Sequence, residues 1–320
     1  MLATLNIRLT ITFMRSNLLL MCCICLSMST SSVAGEIALS FDDAPLGDGA
    51  FLTGDERTQM LIDKLDSLGI EEVVFYCTTK HLAGPADEER LRAYAAAGHK
   101  LGNHTESHPR LSTVGAEAFL ADVDHAHADL VDFDGFVSWF RFPMLDEGQS
   151  RPLRDSIRAA LAERGYVNGY VTVDNYDWYI DRRTRTATSN GETIDLDALR
   201  DFYISTIWDG IQFYEQIATD VLGRSPKHVL LLHENDLAAL FIDSLVTHIR
   251  AKGWTIISPT EAYTDPIVDS LPDVLMNNQG RIAAIARAHG VEPRALVHPS
   301  EDVAHLDSAL VHRGIIKTSD

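Results

Sequence analysis

From Gly35 onward the chain alternates short apolar runs with longer stretches of amphipathic spacing. The apolar or β-branched runs fall at residues 37–41, 73–77, 137–142, 170–173, 228–232 and 255–257, each too short for a helix, and they predict strands. Helical spacing fills the intervals at 56–68, 88–97, 116–131, 153–164, 196–221 and 237–252. A seventh short strand is expected at 100–102, after Gly98 closes the preceding helix. Such alternation implies a parallel sheet whose crossover helices cover it, an α/β fold one strand short of a complete eightfold barrel. Beyond Asp265 a helical pattern at 279–288 and a less regular stretch at 298–314 are expected to pack outside that barrel.

The first residues break the pattern. Arg15 precedes an apolar segment at 18–26, and Ser32-Val33-Ala34 follows before Gly35-Glu36, the order of a secretory signal cleaved after Ala34. The apolar core is shorter than the roughly 20 residues that span a bilayer, so no stable membrane insertion is expected once it is removed, and translation could equally start at Met1 or Met14. The expected organisation is a leader at 1–34, a catalytic domain at 35–264 and a C-terminal extension at 265–320, in a periplasmic or secreted protein. Three of the four cysteines leave with the leader, and Cys77 sits in a strand-like run as a core thiol, so a disulfide scaffold is excluded. Loss of Arg8 and Arg15 would take the net charge from −19 to −21, a balance that argues against nucleic acid as a partner. It leaves the oligomeric state open.

Candidate chemistry lies at the carboxyl ends of the expected strands, where parallel α/β folds gather their functional loops. Ser40-Phe41-Asp42-Asp43 ends the first strand, and His104-Thr105-Glu106-Ser107-His108 follows the third. Arg141-Phe142-Pro143-Met144 ends the fourth, Asp174-Asn175-Tyr176-Asp177-Trp178 the fifth, and Leu231-Leu232-His233 the sixth. Taken singly, the paired aspartates read as a solvated turn, Arg141 as half of a surface ion pair and His233 as a core histidine. His104 and His108, four residues apart, can project from one helical turn and grip one metal ion. Their joint registration at strand ends favours a site.

In this order the motifs resemble those of the NodB-type polysaccharide deacetylases, carbohydrate esterase family 4, over roughly residues 37–257. The resemblance implies a distorted (β/α)7 barrel and a hydrolase that removes acetyl groups. It implies that Asp43, His104 and His108 hold a divalent metal, zinc in the first place and otherwise cobalt, nickel or manganese. Asp42 would be the general base that takes a proton from water on that metal, and Arg141 would pair with Asp42 and keep it ionised. His233 would be the general acid, with Asp174, or alternatively Asp177, holding its other ring nitrogen. Met144 stands where the family has tyrosine; its backbone N–H can still serve an oxyanion, but the aromatic surface differs. Met144, Trp178, Tyr176 and Asp177, with Trp139 as a further aromatic, are the candidate substrate-binding residues.

The expected partner is an exported N-acetylated glycan of the peptidoglycan or chitin type. O-acetylated xylan, a small amide, or a glycan bound without turnover are the alternatives. The stretch at 179–227 reads either as a lid or as a long amphipathic crossover helix with a solvated basic lead-in at 181–185. The remaining histidines, His81 and His228 among them, match no motif.

Overall fold

In the computed structural model, which describes residues 35–275 and 278–317, the first apolar run is the strand β1 (Glu36–Ala44), buried almost throughout. The leader expected at 1–34 and the alternative starts at Met1 and Met14 lie outside the described residues. Next come α1 (Gly54–Ser67), β2 (Val74–Cys77), α2 (Pro85–Ala96), β3 (Lys100–Asn103), α3 (Leu111–Leu130) and β4 (Phe136–Phe140). The chain continues through α4 (Arg151–Glu163), β5 (Val167–Asn168), α5 (Asp177–Ser189), β6 (Thr193–Ile194) and α6 (Leu196–Leu222). It ends with β7 (Lys227–His233), α7 (Asp236–Ala251), β8 (Thr255–Ile256), α8 (Pro259–Ala262), α9 (Arg281–Ala288), α10 (Val303–His312) and β9 (Ile316–Lys317).

The main sheet is parallel, in the order β5-β4-β3-β2-β1-β7. Strand β7 flanks β1 from Glu36 to Asp42, so β8, which pairs with Glu36 and Ile37, takes the other edge below β2. A central strand buried on both faces must be apolar on both, which is why β1 reads as a continuous run.

The strand expected at 170–173 is not formed. Only Val173 makes a parallel bridge, to Leu230, although Thr172 and Val173 both donate their N–H to the Val229 carbonyl. Its place beside β4 goes to the two residues of β5, and the chain then crosses toward β7. The cause is Gly169: an added Cβ there would sit 2.0 Å from the Tyr76 hydroxyl, and its carbonyl accepts from Arg141 Nε instead of a ladder partner. The seven-stranded sheet is therefore a distorted half-barrel rather than a regular one.

The stretch at 179–227 contains the expected long amphipathic crossover helix rather than a lid. It holds α5, β6 and the 27-residue α6, whose buried Leu199, Phe202, Tyr203, Ile207, Trp208, Ile211 and Tyr214 recur at three- and four-residue spacing. In the lead-in at 181–185 the basic Arg182 and Arg185 are exposed as expected, while Asp181 and Thr184 are buried and Arg183 pairs with Asp307 of α10 at 2.7 Å. Arg182 stacks over Trp178. The tail adds Ile282, Ile285, Leu296, Leu306 and Leu310 to the apolar cluster that holds β1, and β9 pairs antiparallel with β6.

One buried ion cluster fixes the two loops that matter most. Arg57 on α1, fully buried, donates to Glu234 at 3.0 Å and to Asp236 at 3.0 Å. Glu234 also accepts from Leu46 N and Tyr94 Oη, and Asp236 from Phe51 N. The loop after β1 is thereby clamped to the turn after β7. Arg57→Met should leave two buried carboxylates without a cation and cost about 3–5 kcal/mol. Urea unfolding should show a lower midpoint at unchanged slope; an unaltered midpoint would deny the clamp its role.

Candidate active site

In a regular strand Asp42 and Asp43 would face opposite ways. Here Asp42 lies opposite Tyr76 and Ala44 opposite Cys77, so Asp43 is the extra residue of a bulge, with φ 68°. The bulge turns both carboxylates toward one mouth. His104 Nε2 stands 3.6 Å from Asp42 Oδ2 and 3.9 Å from Asp43 Oδ1, and His108 Nε2 is 3.6 Å from Asp43 Oδ1.

The two histidines do not share a helical turn, contrary to the reading from their spacing. Residues 104–110 are irregular, with Thr105 at φ 70° and His108 at φ 56°. Asn103 Oδ1 takes the Thr105 N–H and Thr105 Oγ1 takes the His108 N–H, side-chain bonds that compete with helix formation. The loop nevertheless brings both rings to Asp43.

Three donor atoms, one each from Asp43, His104 and His108, lie within 4.8 Å of one another, and this set fits a divalent cation. His104 Nδ1 lies 2.8 Å from the Arg141 carbonyl, to which it can only donate, so Nε2 faces inward with its lone pair. Burial holds both imidazoles down at about 4, neutral at physiological pH and free to ligate. Burial alone would raise Asp43, but the surrounding imidazoles of His108, His233 and His104 outweigh it and keep the carboxyl below its usual range.

Asp42 is buried and accepts from Arg141 Nη1 at 2.8 Å. Arg141 in turn is fixed by Ser40 Oγ at 3.1 Å, by Tyr263 Oη at 3.4 Å and by the Tyr76 ring at 4.1 Å. Burial raises the Asp42 pKa more than Arg141 lowers it, so the net direction is upward.

Beside Asp42 on the neighbouring strand, His233 ends β7, and its Nδ1 lies 2.6 Å from Asp177 Oδ1. Asp177 also accepts from His233 N and Asn235 Nδ2, so this carboxylate, not Asp174, orients the ring. The reason is local: Asp177 opens α5 directly behind His233, whereas Asp174 turns onto the Asn175 N–H at 2.7 Å. Asp177 is wholly buried, which also removes it from the substrate-binding set. Although burial lowers the His233 pKa, Asp177 in the first place, with Asp43 and Asp42, lifts it to about 9. Asp174 lines the cavity without a cationic partner among the described residues, and burial, reinforced by Glu301 of the tail, pushes its carboxyl well up.

These groups surround a cavity of about 360 Å³ at the carboxyl ends of the strands. Its far wall is Tyr176, Trp178 and Met144, with Met144 partly exposed at φ 55°. Trp139 is elsewhere, packed on the Tyr263 ring. Three contributors escaped the sequence reading. Arg110 and Asn278 close the rim by a 2.8 Å hydrogen bond, and His81 Nδ1 lies 3.1 Å from the Asp43 carbonyl. Of these only Arg110 stood near a motif, two residues after His108. His228 is structural, held between Thr172 and Glu215.

Residues 31–168 match the family model described as polysaccharide deacetylase. A chitin deacetylase of Cryptococcus neoformans is 30% identical over 168 residues, which cover 49% of this chain and 32% of that protein. A peptidoglycan-N-acetylglucosamine deacetylase of Bacillus cereus is 27% identical over 143 residues, 45% of this chain and 46% of that one. The chain thus spans less than half the length of either curated relative. A solved polysaccharide deacetylase of Bacillus cereus superposes with a TM-score of 0.51 over 70% of this chain and 91% of its own, at 15% identity, and shares the fold. Over residues 31–168 the chain is thus similar to polysaccharide deacetylases.

Proposed function

We propose that the protein is a metal-dependent hydrolase that removes acetyl groups from an N-acetylated carbohydrate. The observation that carries this reading is the meeting of Asp42 and the Asp177-held His233, register neighbours on β1 and β7, with Asp43, His104 and His108 at one cavity. A divalent cation on those three residues, zinc by the nitrogen and oxygen donor set, would acidify a water and polarise the acyl carbonyl. Asp42 accepts the proton of the attacking water as its oxygen bonds to the acetyl carbon. His233, protonated, donates from Nε2 to the departing nitrogen as the C–N bond breaks, releasing acetate and a free amine. Asp177 holds the ring in the orientation that the transfer requires.

Tyr176 and Trp178 supply an aromatic wall of the kind a sugar ring packs on, and the chitin and peptidoglycan deacetylases among the relatives support an N-acetylglucosamine polymer. Met144 on that wall favours a second reading, an O-acetyl ester or small amide substrate, because it presents a flexible thioether instead of an aromatic face. We further read the chain as exported, from its first 34 residues.

The test is acetate release by metal-loaded and metal-stripped protein from chitin oligomers, peptidoglycan, acetylxylan and small acetamides. Metal-dependent release from the N-acetylated polymers is expected; release that survives chelation would overturn the reading. A companion prediction concerns the ligands. His104→Ala combined with His108→Ala should abolish stoichiometric metal, measured by elemental analysis after gel filtration, and full retention would break the assigned set.

A further inference from the structure

A second, smaller cavity of about 30 Å³ lies behind the Arg141 loop, between the barrel and the start of α9. Its lining includes four guanidinium groups, those of Arg141, Arg154, Arg158 and Arg281. Three have carboxylate partners: Arg141 pairs with Asp42, Arg154 with Asp155 and Asp273, and Arg158 with Glu147, itself a lining residue. Arg281 has none among the described residues. It is 4% exposed, and its Nη1 is spent on the backbone carbonyls of Ile267, Val268 and Ser270. Its guanidinium lies over the Tyr170 ring at 4.8 Å. Its Nη2 has no hydrogen-bond partner, and neither does the buried Tyr170 hydroxyl, whose side chain also lines the cavity.

Two orphan donors beside a buried cation that no carboxylate contacts define a demand, which the field of Glu147, already paired with Arg158, meets only in part. A buried hydrogen-bonding group left unpaired is costly, and a buried charge without a counter-charge is costlier. Burial does pull the Arg281 guanidinium below its ordinary pKa. The helix above adds to the positive field, for α9 begins at Gly280 without a side-chain cap, and Gly280 and Arg281 both face the cavity. A water could accept both hydrogen bonds but would leave the charge. The space holds one or two atoms of water size, which excludes phosphate or a sugar.

We propose that this cavity binds a monatomic, chloride-sized anion that pairs with Arg281 and Tyr170 Oη and ties the tail helix α9 to the barrel behind Arg141. The site is distinct from the acetyl-binding cavity and does not depend on the reaction assigned to it.

The experiment uses the full mature chain. Crystals grown with bromide should show an anomalous peak within hydrogen-bonding distance of Arg281 Nη2 and Tyr170 Oη. In solution, exchanging gluconate for chloride at constant ionic strength should raise Tm by roughly 2–5 °C, because an anion that binds only the folded state stabilises it by mass action. Tyr170→Phe, which keeps the ring under Arg281, should shrink that response, and Arg281→Gln should abolish it if the variant folds. Water alone at the position in bromide crystals overturns the proposal. So does a Tm that responds equally to gluconate and chloride, or a chloride response unchanged in Tyr170→Phe.

Discussion

Asp42→Asn should bind a divalent cation as the wild type does and lose about 10²–10⁴-fold in kcat, the range a positioned general base contributes. The substitution is nearly isosteric, and the amide oxygen can still accept from Arg141 Nη1, so the 2.8 Å contact has a successor. What disappears is the capacity to take a proton. It also removes the only carboxylate paired with Arg141 among the described residues, leaving a fully buried guanidinium with neutral neighbours. Breaking a buried pair in this way costs about 3–5 kcal/mol, so kcat must be read at a temperature where the variant remains folded, with Tm and metal content measured alongside. Activity within about tenfold of wild type in folded, metal-replete protein would remove Asp42 as the base. A loss of metal together with activity would instead make Asp42 part of the ligand set, which its 3.6 Å separation from His104 makes worth checking.

The identity of these groups was legible because each is part of a short contiguous string at a strand end, and strand ends follow from apolar periodicity. Their geometry was not. The rule that successive strand residues alternate faces would send Asp43 away from Asp42, and only the bulge between Asp42 and Ala44 overrides it. Four-residue spacing suggested a helical turn for His104 and His108, but Asn103 and Thr105 capture the local N–H groups and fold an irregular loop that meets the same end. Spacing also could not choose between Asp174 and Asp177 as the partner of His233, since that choice depends on where α5 begins. The run at 170–173 has strand composition, yet Gly169 and Arg141 divert it from the ladder. In the tail, β9 is two residues long and pairs across more than a hundred positions with β6, a contact that leaves no periodic trace. The same holds for Arg110 and Asn278, which meet at the cavity rim from distant parts of the chain.

Asp177→Asn carries the second large effect, and its signature is a displaced pH profile. His233 faces Asp177 from α5 and Asp42 and Asp43 from β1, and these carboxylates hold its imidazolium up to about 9 against the opposing pull of burial. The acid form is therefore populated below that value and lost as pH rises through it, so amide hydrolysis should fall on the basic side. A cation at Asp43 would neutralise part of the raising field and move this limb toward acid, so variant and wild type must be compared with the same metal. Asp177 is the largest of the raising influences, and with it neutralised the burial of His233 pulls the imidazolium pKa down from about 9. At pH 7 the variant should lose about 10²–10⁴-fold on amides, with the basic limb shifted to lower pH. Acetyl esters with good leaving groups need no proton to depart, so they should lose far less. A uniform drop on esters and amides at an unmoved limb would mean that Asp177 matters only for packing. The stability signature has the same sign. A pKa raised from 6.5 to about 9 on folding adds stability that is complete below 6.5 and disappears as pH rises through 9. Over that window the wild type should weaken with pH, and the slope should flatten in Asp177→Asn, a difference that equilibrium unfolding can read without any substrate at all.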